Sequence, residues 1–307
     1  MNMLTKKAIS ICFLLLPGMA GGAESADPYG GWAYYGGTQD GIRYSSLGQL
    51  TRGNVEDLEI AWTYNTGETE RRGPELITNS STQNTPTLVA GSLLICTPFN
   101  RLIALDPGTG KERWVFEAKV NLDHKLPYQY NCRGVTAWEN PDANRDAACK
   151  HRVFMGTNDE RLLAVDAYTG KRCSDFGSNG EVPVTQSRPL QFAGERKITS
   201  APVVVNGVVV VGSFVMDNLR TDAPLGTMFA FKAITGEALW SFDPIPRDPG
   251  DPAYATWHDD SALRTGAANV WSSMVADPER DLIFVPVASA SPDFWGGERK
   301  GDNLYSG

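Results

Sequence analysis

The stretch "LIALDPGTGKERWVF", residues 102–116, sets an apolar run against an Asp, a Thr-Gly turn and a second run that ends on Trp114 and Phe116. Its outline returns as "LLAVDAYTGKRCSDF" at residues 162–176 and "MFAFKAITGEALWSF" at residues 228–242. Gly110, Gly170 and Gly236 mark the copies, 60 and 66 residues apart. Upstream of each copy lies a similar pair of segments, "NTPTLVAGSLLICTPFN", "CKHRVFMGTNDE" and "ITSAPVVVNGVVVVGSFV". A fourth pair, "NVWSSMVADPERDLIFVPVASAS", begins at Asn269 and has no Thr-Gly copy after it.

Each unit reads as four antiparallel strands. The alternation in "TPTLVAGSLLICT" around Ala-Gly, and in "APVVVNGVVVVGS" around Asn-Gly, marks tight hairpins, because such turns need positive φ. In Asp-x-x-Thr-Gly the carboxylate and the hydroxyl can take turn amides while Gly adopts the left-handed conformation. Trp114 and Trp240 then fall on the outermost strand of their units, where a large ring can dock on the next unit. A strand-built period of this length predicts an all-β fold, a β-propeller or a stack of sheets. "PGTGKE" does not make a phosphate loop, because the positions that would need Gly and Ser or Thr hold Leu105 and Glu112.

Composition agrees with a packed domain. Of 307 residues, 41% are hydrophobic and 21% charged, which leaves ample material for a core. The net charge is -8 and no Lys/Arg block stands out, so the electrostatic footprint of a nucleic-acid binder is missing. Residues 1–23, "MNMLTKKAISICFLLLPGMAGGA", follow the order of a secretory signal: Lys6 and Lys7, an apolar core, then small residues. That core is about half of the roughly 20 apolar residues a membrane span needs. Export to the periplasm is expected, with residues 24–307 as the mature part. Cys12 lies inside the signal rather than in a lipobox, which leaves Cys96, Cys132, Cys149 and Cys173. Four thiols in an exported protein suggest two disulfides with three pairings. Cys149 and Cys173 flank one repeat unit and are favoured as a pair, with Cys96 and Cys132 as the other. No C-x-x-C spacing supports zinc.

The signal, "WAYYGGTQDGIRYSSLGQL" (residues 32–50), "NVEDLEIAWTYNTGE" (residues 54–68) and the repeated turn resemble the pyrroloquinoline-quinone-dependent dehydrogenases. Within them the chain is most similar to the soluble part of the membrane-bound glucose dehydrogenase type and its exported relatives. Further matches are "TPFNRLIALD", "CRGVTAWE", "MDN" and "SPDFWGG", so the resemblance covers essentially the whole mature chain. It implies an eight-bladed propeller of four-stranded blades with the quinone on the axis beside calcium or magnesium. About four blades are present, the N-terminal half of such a ring.

The same resemblance assigns individual positions. Arg133 matches an arginine that pairs with a quinone carboxylate, which suits a guanidinium fork. Trp271 matches the aromatic floor beneath the quinone ring. Asp217, Asn218 and Ser291 match oxygen donors near the metal, as a hard cation requires. Gln83 stands where many relatives have Glu, and Phe99 where the glucose dehydrogenases carry a His over the quinone plane. Only Cys132 precedes Arg133, so the vicinal cysteine pair of the methanol-oxidising branch is missing. A general base is expected beyond Gly307, and "LEIAWTYNTG" (residues 58–67) is expected to complete the last blade of a full ring. A half-built axis with bare edges predicts aggregation or marginal stability for these residues alone.

The implied activity is oxidation of a sugar, polyol or other alcohol, with electrons passing to a respiratory acceptor such as ubiquinone or a cytochrome c. No C-x-x-C-H haem site occurs in the chain. The competing reading is a non-catalytic propeller scaffold of the outer-membrane assembly type, which predicts a lipobox cysteine and short connections. The long insertion around "NLDHKLPYQYNCRGVTAWENPDANRDAACK" places Arg133 outside the strands instead. His124, His151 and His258 have no paired ligand spacing and read as surface residues.

Overall fold

Three of the four repeat units fold into four-stranded antiparallel sheets in a computed structural model that describes residues 31–122 and 128–307. The signal segment and His124 lie outside the described residues. The first sheet runs β1 (Thr87–Val89), β2 (Ser92–Cys96), β3 (Arg101–Leu105) and β4 (Glu112–Glu117). The second runs β5 (Thr136–Glu139), β6 (His151–Gly156), β7 (Arg161–Asp166) and β8 (Glu181–Pro183). A short strand β9 (Arg196–Lys197) precedes the third unit. That unit holds β10 (Val203–Val205), β11 (Val208–Val211), β12 (Phe214–Val215), β13 (Met228–Lys232) and β14 (Ala238–Phe242). Strand β12 leaves the meander to pair with β9, and the sheet closes as β10-β11-β13-β14. The fourth unit contributes only β15 (Val275–Asp277) and β16 (Leu282–Phe284). These are blades of an unclosed β-propeller.

Strand alternation explains the stacking. Val153 and Met155 on β6 face the first blade with Leu163 and Val165 of β7, while Phe154, Leu162 and Ala164 face the third. A strand with neighbours on both faces must be apolar at nearly every position, and β6 and β7 are buried at all but their first residue. Each such fully buried side chain contributes about 1.5–3 kcal/mol.

The Thr-Gly turn supplies the contact between blades. Asp106 Oδ1 accepts from the Gly108 and Thr109 amides and from the Thr109 hydroxyl, at 2.9–3.1 Å. Asp166 does the same for Thr169. Gly110 sits at φ 67°, and a Cβ there would come within 2.5 Å of the Trp62 ring. At Gly170, with φ 69°, a Cβ would come within 2.6 Å of Trp114. The outer-strand Trp of one blade thus lies flat on the turn of the next, as the repeat predicts for Trp114. Trp240 has no such seat among the described residues and is 46% exposed. Residues 58–67 form no sheet strand but lie beside the first blade, Trp62 donating to the Pro107 carbonyl at 3.1 Å.

Both favoured disulfides are present. Cys149–Cys173 staples the second blade to its own turn, and Cys96–Cys132 ties β2 to the segment entering β5. The N-terminal segment crosses the innermost strands: Trp32 accepts from Leu88, Gln39 donates to Val204, and Ala276 donates to Gln39. Among the described residues no helix is long and apolar enough to cross a membrane.

Candidate functional site

The residues that enter each innermost strand lie at one level of the propeller. Gln83 precedes β1, Arg133 precedes β5, Thr199 precedes β10 and Trp271 precedes β15. Backbone and hydroxyl bonds join these entries from blade to blade. Thr85 N–H donates to Arg133 O at 2.9 Å, and Arg133 N–H donates to Thr199 O at 2.8 Å. The Ser200 hydroxyl donates to Trp271 O. Cys132, held by its disulfide to β2, fixes the residue next to Arg133. The site is therefore carried by irregular backbone on a rigid scaffold, where strand ends leave polar groups available.

Arg133 is half-buried. Its guanidinium donates to the Thr199 hydroxyl at 2.5 Å and lies 5.1 Å from the centre of the Trp271 ring. Burial lowers its pKa, and no acid among the described residues forms an ion pair with it. Trp271 remains 42% exposed although Arg133 covers part of it, so a flat apolar surface stays open beside a cation.

A second cation, which the sequence reading missed, accompanies it. Lys197 is 1% exposed, with its ammonium on the carbonyls of Gln129 at 2.6 Å and Tyr128 at 3.4 Å and over the Phe214 ring at 4.9 Å. Burial, and then the nearby Arg133 charge, push its pKa down to about 7. Lys197 likewise forms no ion pair among the described residues. Gln83 is exposed; its carbonyl accepts from Asn131 at 3.2 Å and its amide donates to Ser81. The Asn131 carbonyl oxygen is buried without a partner. Phe99 lies in a buried cluster with Tyr130 and Met216, against which Tyr128 and Phe214 also pack, and beneath Arg72.

The oxygen donors gather after β12. The Asp217 carboxyl is pushed up to about 6 by burial and then by Asp293, an acid that the sequence reading did not single out. Asn218 donates to Asp217 Oδ1 at 3.0 Å and accepts from Phe294 N–H at 3.1 Å. Ser291 is fully buried, and its hydroxyl meets the carbonyls of Asp217 at 2.5 Å and Arg220 at 2.6 Å. It braces the Asp217 backbone. Among the described residues no group of three or more His, Cys, Asp or Glu forms a metal cluster.

A buried and a half-buried cation, neither in an ion pair among the described residues, beside an open aromatic face suit a flat polyanion. A carboxyl held up by burial and a like charge is short of a cation, which suits a hard metal ion. His151 is half-buried edge-on to Tyr168 and His258 is exposed, so neither belongs to the site.

Residues 32–307 match the family described as PQQ glucose/ethanol/alcohol dehydrogenase, β-propeller domain. The chain is 35% identical over 279 residues to quinoprotein glucose dehydrogenase A of Acinetobacter calcoaceticus, covering 87% of this chain and 34% of that protein. It is 35% identical over 295 residues to the quinate/shikimate dehydrogenase (quinone) of Acinetobacter baylyi, covering 90% and 35%. Among solved structures, the quinohemoprotein alcohol dehydrogenase of Comamonas testosteroni superposes with a TM-score of 0.70 at 25% identity, over 92% of this chain and 39% of that one. The chain spans about a third of the length of the curated relatives it matches.

Proposed function

The chain belongs to the quinoprotein glucose/ethanol/alcohol dehydrogenase β-propeller family, and on that premise we propose that the protein oxidises a small alcohol, polyol or sugar with pyrroloquinoline quinone. The observation that supports this reading most is Arg133, a half-buried guanidinium with no acid partner among the described residues, stacked on the open Trp271 ring. When bound, the quinone supplies the two-electron acceptor that no protein side chain offers.

The chain's own residues do the holding. Arg133 pairs with a carboxylate of the cofactor, a charge-assisted contact about twice as strong as a neutral one. Its Thr199 bond and its seat on Trp271 fix the fork beforehand, so little side-chain freedom is lost on binding. Trp271 offers a flat face to the ring system. Asp217 and Asn218 hold calcium or magnesium, with Ser291 steadying their backbone. No general base is assigned among the described residues. A cleaved leader, a periplasmic location and electron transfer to ubiquinone or a cytochrome c complete the reading.

The test is dye reduction by the full-length protein supplied with the quinone and calcium, with glucose, ethanol, glycerol and quinate in turn. Turnover with at least one of these, lost without the quinone and reduced about 100-fold or more in Arg133→Ala, is the expected result. A folded protein that neither binds the quinone nor reduces dye with any of these substrates contradicts it.

A further inference from the structure

We infer that Lys197 is a second cationic anchor for the anionic cofactor, acting beside Arg133; this rests on the quinoprotein reading above. The backbone places it there. Strand β9 pairs with β12 so that Lys197 lies opposite Phe214 and Arg196 opposite Val215. Alternation then separates the neighbours. Ile198 enters the core between the second and third blades, and Arg196 turns to Glu160, whereas Lys197 and Thr199 share the other side. On that side Thr199 receives the Arg133 hydrogen bond and Lys197 feels the Arg133 charge.

The charges around Lys197 are accounted for element by element. Arg133, ahead of β5, is the charged group that acts on it. The segment before β5 offers the backbone carbonyls of Tyr128 and Gln129, and β12 offers the Phe214 ring. On β9 and just before it, Arg196 pairs with Glu160 and Glu195 with Arg220. Beyond β12, Asp217 holds Asn218 and is coupled to Asp293 rather than to Lys197. Carbonyls and a ring take up the ammonium hydrogens without neutralising the charge. A buried and a half-buried like charge that act on one another, neither in an ion pair among the described residues, are balanced once a ligand brings carboxylates to that place. A lysine serving only as a cross-link to residues 128 and 129 would not need a cationic neighbour.

Charge balance has a measurable consequence in protons. With its pKa held near 7 in the free site, Lys197 is partly neutral in mild alkali and recharges when an anion arrives. The experiment is calorimetric titration of the cofactor-free full-length protein with pyrroloquinoline quinone at fixed calcium, in buffers of different ionisation enthalpy, at about pH 6 and about pH 8. The wild type should take up about one proton per cofactor at the higher pH and close to none at the lower, with weaker affinity at the higher. Lys197→Met should bind about 10- to 100-fold more weakly at the lower pH and take up no proton, while Lys197→Arg keeps the affinity without the uptake. Wild-type binding that takes up no proton overturns the inference even if the Met variant fails to fold. Unchanged affinity and uptake in Lys197→Met, with binding lost in Arg133→Ala, overturns it while leaving the quinoprotein reading in place. A folded wild type that does not bind the quinone overturns both.

Discussion

The second and third blades follow one strand plan, yet the outermost strand β8 of the second keeps Val182 buried while all five residues of its counterpart β14 are exposed. The difference lies in the neighbours. The second blade has a four-stranded sheet on each face, whereas the third is met on its far side only by β15 and β16. An open apolar groove results, lined by Val210, Met228, Trp240, Phe242, Ile283 and Val285. A blade's stability is therefore a property of its interfaces more than of its own strands, as in other repeat architectures.

The largest contrast should come from the core. Phe154→Ala, at a side chain with no exposed surface packed on Phe176 at 5.5 Å, should cost about 3–5 kcal/mol in urea unfolding. Phe242→Ala on β14 should cost less than about 1 kcal/mol in the 307-residue chain. Equal losses would break the comparison. A smaller effect belongs to the staple that the third blade lacks. Replacing Cys149 and Cys173 by Ser opens a closure spanning 24 residues and should lower stability by about 2–4 kcal/mol. An unaltered denaturation midpoint would show that the turn already holds the second blade without it.

The smallest effect separates the turns themselves. Asp106 is held at about 2, first by the Arg113 hydrogen bond and then by Thr109. Its folded-state pKa is depressed, so its contribution is present above the ordinary value of 3.8 and is lost as pH falls through about 2. The third turn has Lys232 in place of this Asp and so lacks the titration. Carboxyl carbon shifts followed by NMR should show the low midpoint, and Arg113→Ala should raise it; a midpoint near 3.8 in the wild type would remove the proposed role of Arg113.

Much of the scaffold was legible in the chain because it is written locally. The Asp-x-x-Thr-Gly copies, the Ala90-Gly91 and Asn206-Gly207 hairpins and the Cys149–Cys173 pairing each depend on residues close in sequence or on one repeat unit, and the pairing of Cys96 with Cys132 then follows as the remainder. The docking of Trp114 followed from the repeat, but the repeat could not tell that Trp240 would stay half-exposed, because that depends on what stands beyond β14. At the site, Arg133 lies over the Trp271 ring, Phe99 packs with Tyr130 and Met216, and Ser291 turns its hydroxyl to backbone. Lys197 was missed for a physical reason. In "GERKITSAP" three charged residues stand in a row, and only the pairing of β9 with β12 decides that Lys197 faces Arg133 while Arg196 faces Glu160. Asp293 was passed over because its coupling to Asp217 spans two segments far apart in sequence.

The central claim is that the ends of the innermost strands hold an anionic quinone against Arg133 and Trp271. A crystal structure of the full-length protein loaded with pyrroloquinoline quinone and calcium tests it most directly. The account predicts the cofactor at the level of Gln83, Arg133, Thr199 and Trp271, with a carboxylate on the Arg133 guanidinium and the metal on the side of Asp217. A quinone bound elsewhere, with Arg133 still engaged only by Thr199 and Trp271, would contradict it.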